Sequence, residues 1–233
     1  MTRLTADPAF GLALSIGVFY LARLLYKRMR HPLLNPVTVT IATLIGLLLA
    51  LGIRYEDYME GGQYLHFLLG PSVVALALPI YERRERILKM ARPILTSILA
   101  GSVASILSAT SIAYLLGGTN EVILSLAPKS VTTPIALGIS EKIGGLPPLT
   151  ATIVVLTGCI GGAVGPEFCR LIGVRNIFAV GMAMGTSSHG IGTARMMDED
   201  VTGAAYSGLS IGIAGMVTAY IMPAMMPIVA IFL

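Results

Sequence analysis

The stretch APKSVTTP at 127–134 sets a lysine between two prolines and beside three hydroxyls, inside a segment apolar enough to enter a membrane. Lys129 is the only charge between Glu121 and Glu141. Eight helical residues cover roughly 12 Å, which puts this lysine near the middle of a hydrocarbon layer about 30 Å thick. An ionisable group at that depth is costly and marks function by default. Pro128 and Pro134 each remove a backbone donor and disfavour helix in the residue before them, so Lys129 is expected where a helix is interrupted. A cation held there suits an anion, and Ser130, Thr132 and Thr133 add hydroxyls to orient it.

A second stretch, GTSSHGIGTAR at 185–195, reads as its counterpart. It places Ser187, Ser188, His189 and Thr193 among Gly185, Gly190 and Gly192 in an otherwise apolar run. Glycine frees φ and admits close approach of backbone to a ligand at a cost in helix stability, so the break is expected at Gly190 and Gly192. A half-helix restarting after such a break presents free N–H groups and the positive end of its dipole, a site for a carboxylate. Open backbone at this depth is tolerable only where it is buried in protein or lines a wet cavity.

The elements that must hold these stretches are membrane helices. Hydrophobic residues make up 55% of the 233-residue chain and charged residues only 12%, with a mean hydropathy of +0.82, far from the soluble norm. Apolar runs long enough to span lie at 9–26, 32–53, 64–80, 94–116, 146–166 and 203–222, and those at 120–140 and 174–194 are long enough but broken. This gives an all-α polytopic membrane protein of roughly eight membrane segments in one transmembrane domain, 1–233. The first run is followed by Arg23, Lys27, Arg28 and Arg30 rather than a small-residue cleavage site, so it reads as a transmembrane helix and not a cleavable signal. The basic loop at 82–92 repeats that message, whereas the loop at 54–62 is acidic. The N-terminus is therefore expected outside.

NPVTVTIATLIG at 35–46 aligns without gaps on PPLTATIVVLTG at 147–158, matching at six of twelve positions. The Gly-Pro-Ser of 70–72 then falls near the Gly-Thr-Ser of 185–187. The chain reads as two repeated halves, about 9–116 and 120–222, with two interrupted helices at the centre, the usual construction of secondary transporters. If 120–140 crosses fully, the matched helices point the same way; if it turns back, they are antiparallel. Charge favours inversion, with Arg170 and Arg175 cytoplasmic and the acidic 198–200 loop outside.

Other chemistries find little support. Cys159 and Cys169 are the only cysteines and the three histidines are scattered, so no disulfide framework, metal site or cofactor is indicated. No phosphate loop, nucleotide fingerprint or nucleophile elbow occurs, and no acid, base and nucleophile converge, which argues against an enzyme or an ATP-driven pump. The net charge of +4 is explained by cytoplasmic loops and carries no nucleic-acid signal. The glycines of 158–165 read as close helix packing, His66 as core, and Arg195 as the end of a helix at an interface.

APKSVTTPIA and SHGIGTA resemble the characteristic motifs of the LrgB family of bacterial membrane proteins, with no departure in either, and the resemblance covers nearly the whole chain. CidB proteins and the membrane half of the plant chloroplast glycolate/glycerate transporter belong to the same family. The resemblance implies a multi-pass protein of the bacterial inner membrane, usually encoded beside a smaller LrgA- or CidA-type membrane partner. It also implies one of two functions: antiholin-like modulation of murein hydrolases and lysis, or transport of short hydroxy- or keto-acids.

The residues favour a secondary carrier of small monocarboxylates such as glycolate, glycerate, lactate or pyruvate, working by alternating access. Lys129 neutralises the carboxylate, and Ser130, Thr132, Thr133, Ser187, Ser188, His189 and Thr193 are the candidates to orient it. Pro128, Pro134, Gly190 and Gly192 make the breaks. The bland rivals are that Lys129 snorkels to an interface, that His189 donates to a freed backbone carbonyl, and that the hydroxyls bond back to their own helix. A regulatory subunit without a substrate is the alternative function, and a homodimer is compatible with either.

Overall fold

The computed structural model describes residues 7–29, 31, 34–68, 71, 74, 75 and 77–232, and among them every regular element is helical. In order these are α1 (Pro8–Met29), α2 (Pro36–Leu51), α3 (Tyr55–Phe67), α4 (Ala77–Glu82), α5 (Arg84–Lys89), α6 (Ala91–Leu115), α7 (Asn120–Leu126), α8 (Thr133–Ile143), α9 (Pro147–Leu171), α10 (Ile177–Glu199) and α11 (Val201–Val229). The helices α1, α6, α9 and α11 are long and apolar enough to cross a membrane. The protein is an all-α, multi-pass membrane protein. Its packing forms two compact units, Met1–Leu78 and Pro79–Leu233.

In the first unit, α1 and α3 approach backbone to backbone at Gly11 and Gly61, where a side chain on either would run into the other helix. Ser15 donates to the Gly11 carbonyl at 2.7 Å and meets the Tyr58 hydroxyl at 2.7 Å, closing the same seam. Asn35 caps α2 by accepting from the amides of Val37 and Thr38. Gly52, at φ 63°, ends it in the left-handed cap. These caps leave α2 at 16 residues, about 24 Å and shorter than the apolar run at 32–53 suggests. The acidic stretch at 54–62 is not a loop but the start of α3. Glu56 and Asp57 occupy its first turn, where carboxylates favour a helix, and Arg54 pairs with Asp57 at 2.8 Å. Likewise most of the basic 82–92 stretch is the short helix α5. Of the expected span at 64–80, residues 69, 70, 72, 73 and 76 lie outside the described residues, as do residues 70 and 72 of the Gly-Pro-Ser match. His66 is exposed rather than core. The repeat at 35–46 and 147–158 falls on the first turns of α2 and α9. Its matched threonines make the same bond: Thr40 donates to Pro36 and Thr152 to Pro148.

The second unit carries both interrupted segments. In α6, Ile94, Ile98, Ser102 and Ile106 recur every fourth residue as one buried stripe. Ile94 and Ile98 pack with Tyr206 and Ala214 of α11, and Ile106 packs with Met222 and Met225, so the two helices run in the same direction.

Neither broken segment crosses. Residues 125 and 140 would lie about 22 Å apart along one helix, yet the Thr150 hydroxyl sits 3.1 Å from the Ser125 carbonyl and 2.7 Å from Ser140 Oγ. The Leu146 amide donates to Ser125 Oγ at 2.7 Å. The chain therefore enters along α7, turns, and returns along α8. In α10 the reversal occurs inside one named element, at His189 (φ 40°, ψ −132°). A Cβ on Gly192 would lie 2.8 Å from the Met184 carbonyl oxygen, positions about 12 Å apart in an unbroken helix. At the open end, Arg170 of α9 reaches Glu199 at 3.4 Å, although a straight α10 would carry Glu199 about 33 Å from its start. This overturns the expectation that Arg170 and the 198–200 loop lie on opposite sides. Both lie at one end of the unit because α10 is a hairpin.

The α7–α8 hairpin thus enters where α6 ends, α9 crosses, and the α10 hairpin enters from the other end. Asp200 turns the chain into α11 by accepting from the amides of Thr202 and Gly203. The Gly203 N–H in particular holds its carboxyl below the usual carboxylate range. Gly181 and Gly185 lay the incoming arm of α10 directly on the backbone of α11 at Gly203 and Ser207.

Single cysteines in a background lacking Cys159 and Cys169 test this topology. Arg175→Cys and Val201→Cys are expected to react with an impermeant thiol reagent from one side of the membrane, and Leu116→Cys and Leu146→Cys from the other. Labelling of positions 175 and 201 from opposite sides would mean that α10 crosses. Because a Cβ on Gly185 would strike the Ser207 carbonyl oxygen, Gly185→Ala is expected to lower stability by about 1–3 kcal/mol in a denaturation series.

Candidate functional site

The two hairpins bring their turns toward the same stretch of α6 and α9. The first turn, residues 127–132, is built from a Lys129 amide donating to the Leu126 carbonyl at 3.1 Å and a Val131 amide donating to Pro128 at 3.3 Å. Ala127, Pro128, Ser130 and Val131 are buried, Lys129, Thr132 and Thr133 half-buried, and Pro134 exposed. Pro134 sits in the first turn of α8, where its missing N–H costs nothing. Thr132 caps α8 in extended conformation without a side-chain hydrogen bond to the helix amides. The positive end of α8 consequently lies at the turn. The Lys129 ammonium crosses to α6 and donates to Ser105 Oγ at 3.3 Å, so it is directed inward rather than snorkelling.

The second turn differs from the sequence expectation. The break falls at His189, the one non-glycine residue with positive φ among the described residues, and not at Gly190 or Gly192. Both glycines belong to the returning helical arm. Gly192 is there to pack against Ser188 and Met184, while a side chain on Gly190 would meet nothing within 4 Å. A histidine in this region of φ is strained and persists only when its surroundings fix it. They do so on two sides. His189 Nε2 donates to the Val154 carbonyl of α9 at 3.0 Å, an acceptor that places the proton on Nε2. Thr193 Oγ1 donates to the His189 carbonyl at 3.1 Å and receives a bond from Ser207 Oγ of α11 at 2.6 Å. His189 and Thr193 therefore hold the turn closed. The glycines of α9 make room for it: a Cβ on Gly158 would come within 2.6 Å of the His189 ring, and one on Gly161 would run into Ser188.

Between α6, α9 and the incoming arm of α10 lies a cavity of about 460 Å³, within the range of small-molecule sites. Ser105 and Ser187 line its deep end, so Lys129 reaches it through Ser105. Of the hydroxyls singled out in the sequence, Ser187 lines the cavity, with Ser188 beside it at 3.0 Å. Ser130, Thr132, Thr133, His189 and Thr193 are not among its lining residues. Ser105, which does line it, carried no sequence signal, since α6 holds many similar hydroxyls; Thr186, which also lines it, lies inside the GTSSHGIGTAR stretch but was not named among its candidate residues.

At the outer end of the α10 hairpin, Arg195 is 7% exposed and pairs with Glu167 at 2.8 Å and Glu199 at 2.7 Å. Arg170 pairs with the same two carboxylates. Arg195 is thus a buried ion-pair residue, not a helix end at an interface, because the hairpin carries it back to α9. The spacings Glu167–Arg170 and Arg195–Glu199 were the legible hint. Among the described residues no group of His, Cys, Asp or Glu is arranged to hold a metal ion.

Comparison with known proteins identifies relatives along nearly the whole chain. The chain is 38% identical over 208 residues to YwbG of Bacillus subtilis, covering 89% of this chain and 92% of the relative. It is 35% identical over 219 residues to an uncharacterized protein of Haemophilus influenzae, covering 94% and 95% of the two. It is 29% identical over 210 residues to the holin-like protein CidB of Staphylococcus epidermidis, covering 90% and 92%. No solved structure matches it. The model of the LrgB-like family matches residues 15–228, and the chain belongs to that family.

Proposed function

We propose that the protein is a secondary carrier of small monocarboxylates, hydroxy- or keto-acids of the glycolate, glycerate, lactate and pyruvate kind, working by alternating access without enzymatic chemistry. The observation that carries this reading is the pair of opposed hairpins with Lys129 at one turn, its ammonium joined through Ser105 to a cavity that the other hairpin lines. Broken helices meeting at mid-depth are the usual frame of a carrier site. A membrane-buried cation has reason to persist if an anion comes to it. Lys129 and Ser105 receive the carboxylate, Ser187 and Ser188 border it, and His189 and Thr193 fix the geometry of the turn.

The same reading assigns the protein to the bacterial inner membrane. In the second unit, Arg83, Arg170 and Arg175 lie at the end where α10 enters, and Arg83 donates to Thr202 there at 3.1 Å. That end is cytoplasmic by the positive-inside rule, in which acidic residues count for little. The N-terminus is assigned to the outside from the basic cluster after α1.

The name of the CidB relatives favours a second reading, a holin-related membrane subunit that acts with a small LrgA- or CidA-type partner. Uptake separates the two. In proteoliposomes, labelled glycolate, glycerate, lactate or pyruvate is expected to accumulate, and Lys129→Met to reduce the rate at least about tenfold, as loss of one charge-assisted hydrogen bond would. Lys129→Arg should retain part of it. Absence of transport for all four acids, in protein whose helicity and elution are normal, would support the subunit instead.

A further inference from the structure

The cavity is far less polar than a site for hydroxylated acids should be. Its inner end carries Ser105 with the Lys129 ammonium behind it. From there it runs toward the end of the unit where α10 enters, between Ile98, Phe168, Ile172 and Met182. Of the hydroxyls that line it, Ser97 donates to the Pro93 carbonyl and Ser187 to the Ala183 carbonyl, each at 2.7 Å, and Thr186 is the other on the α10 wall. A second carboxylate would find no cation among the described residues that line the cavity, and extra hydroxyls would exchange water for a largely apolar wall, an unfavourable transfer. An apolar tail would gain from the same wall. The volume also exceeds the needs of a two- or three-carbon acid and is of the size that encloses larger ligands.

We infer that the preferred ligand is a monocarboxylate with an apolar tail of several carbons, a branched or aromatic 2-oxo acid rather than a hydroxylated one. Its carboxylate sits at Ser105 and Lys129 and its tail points toward Phe168 and Ile172. The inference rests on the carrier reading and shifts its preferred substrate, within the monocarboxylates, from short hydroxylated acids to longer 2-oxo acids.

The test is competition against labelled pyruvate uptake by a graded series at constant head group: 2-oxobutyrate, 2-oxovalerate, 4-methyl-2-oxopentanoate and phenylpyruvate, with glycerate beside them. Apparent affinity is expected to rise about fourfold for each methylene that enters the cavity, and glycerate to compete worst. Gly101 lines the cavity, and a Cβ there would stand 3.3 Å from Thr186 Cγ2. Gly101→Leu, which projects into the space, should therefore lower the ratio of 4-methyl-2-oxopentanoate to pyruvate affinity at least tenfold. Ala183→Leu does the same from α10 if the first variant fails to fold. A flat or falling series, or filling variants that leave the ratio unchanged, overturns the inference while the carrier stands. Absence of pyruvate uptake together with absence of thermal stabilisation by any acid in the series overturns the carrier as well.

Discussion

Backbone amides and carbonyls that leave a helix inside a membrane must find partners in the protein, because the hydrocarbon offers none. Two interruptions among the described residues face that demand, and the structure around them can be understood as the set of partners that meets it. At the first, the helix halves are pinned where they return, by Thr150 reaching both Ser125 and Ser140. At the second, a strained histidine is held by the Val154 carbonyl on one side and by Thr193 with Ser207 on the other. Thr193 apart, which lies on the returning arm of α10 itself, these outside partners come from a crossing helix, α9 or α11. The crossing helices are thus scaffold for the turns as well as membrane anchors.

Small residues make this possible. Gly158 and Gly161 give the His189 turn a bed on α9, and Gly181 and Gly185 let the incoming arm lie against α11. Association in lipid gains little from apolar burial and much from close packing, so such contacts are the expected cement. The buried Arg195 extends the same logic to charge. Its desolvation is compensated by two carboxylates, and removing either would leave the Arg170–Arg195 pair sharing a single carboxylate.

The local chemistry was legible in the sequence and the long-range geometry was not. Prolines flanking Lys129 announce an interrupted helix because proline acts on its immediate neighbours. The break at His189 stayed hidden because glycine is the default choice for open backbone, and nothing in SHGIG says that the histidine takes the positive φ while its neighbours remain helical. Hydropathy registers the length of 174–194 and not its reversal, so Arg170 and Glu199 were assigned to opposite sides although they touch. Ser105 is one of many hydroxyls on α6, and only the reach of Lys129 from a segment 24 residues later in the chain distinguishes it.

The order in which these pieces are made has a consequence for biogenesis. The His189 hairpin is synthesised before α11, yet Ser207, Gly203 and the backbone on which Gly181 and Gly185 rest all belong to α11. Until that helix is inserted, the turn has Val154 and Thr193 but lacks Ser207 and the backbone bed on which its incoming arm rests. A nascent chain stopped after Asp200 would hold every charged group of the Glu167–Arg195 cluster and still lack the α11 surface against which the incoming arm of the hairpin packs.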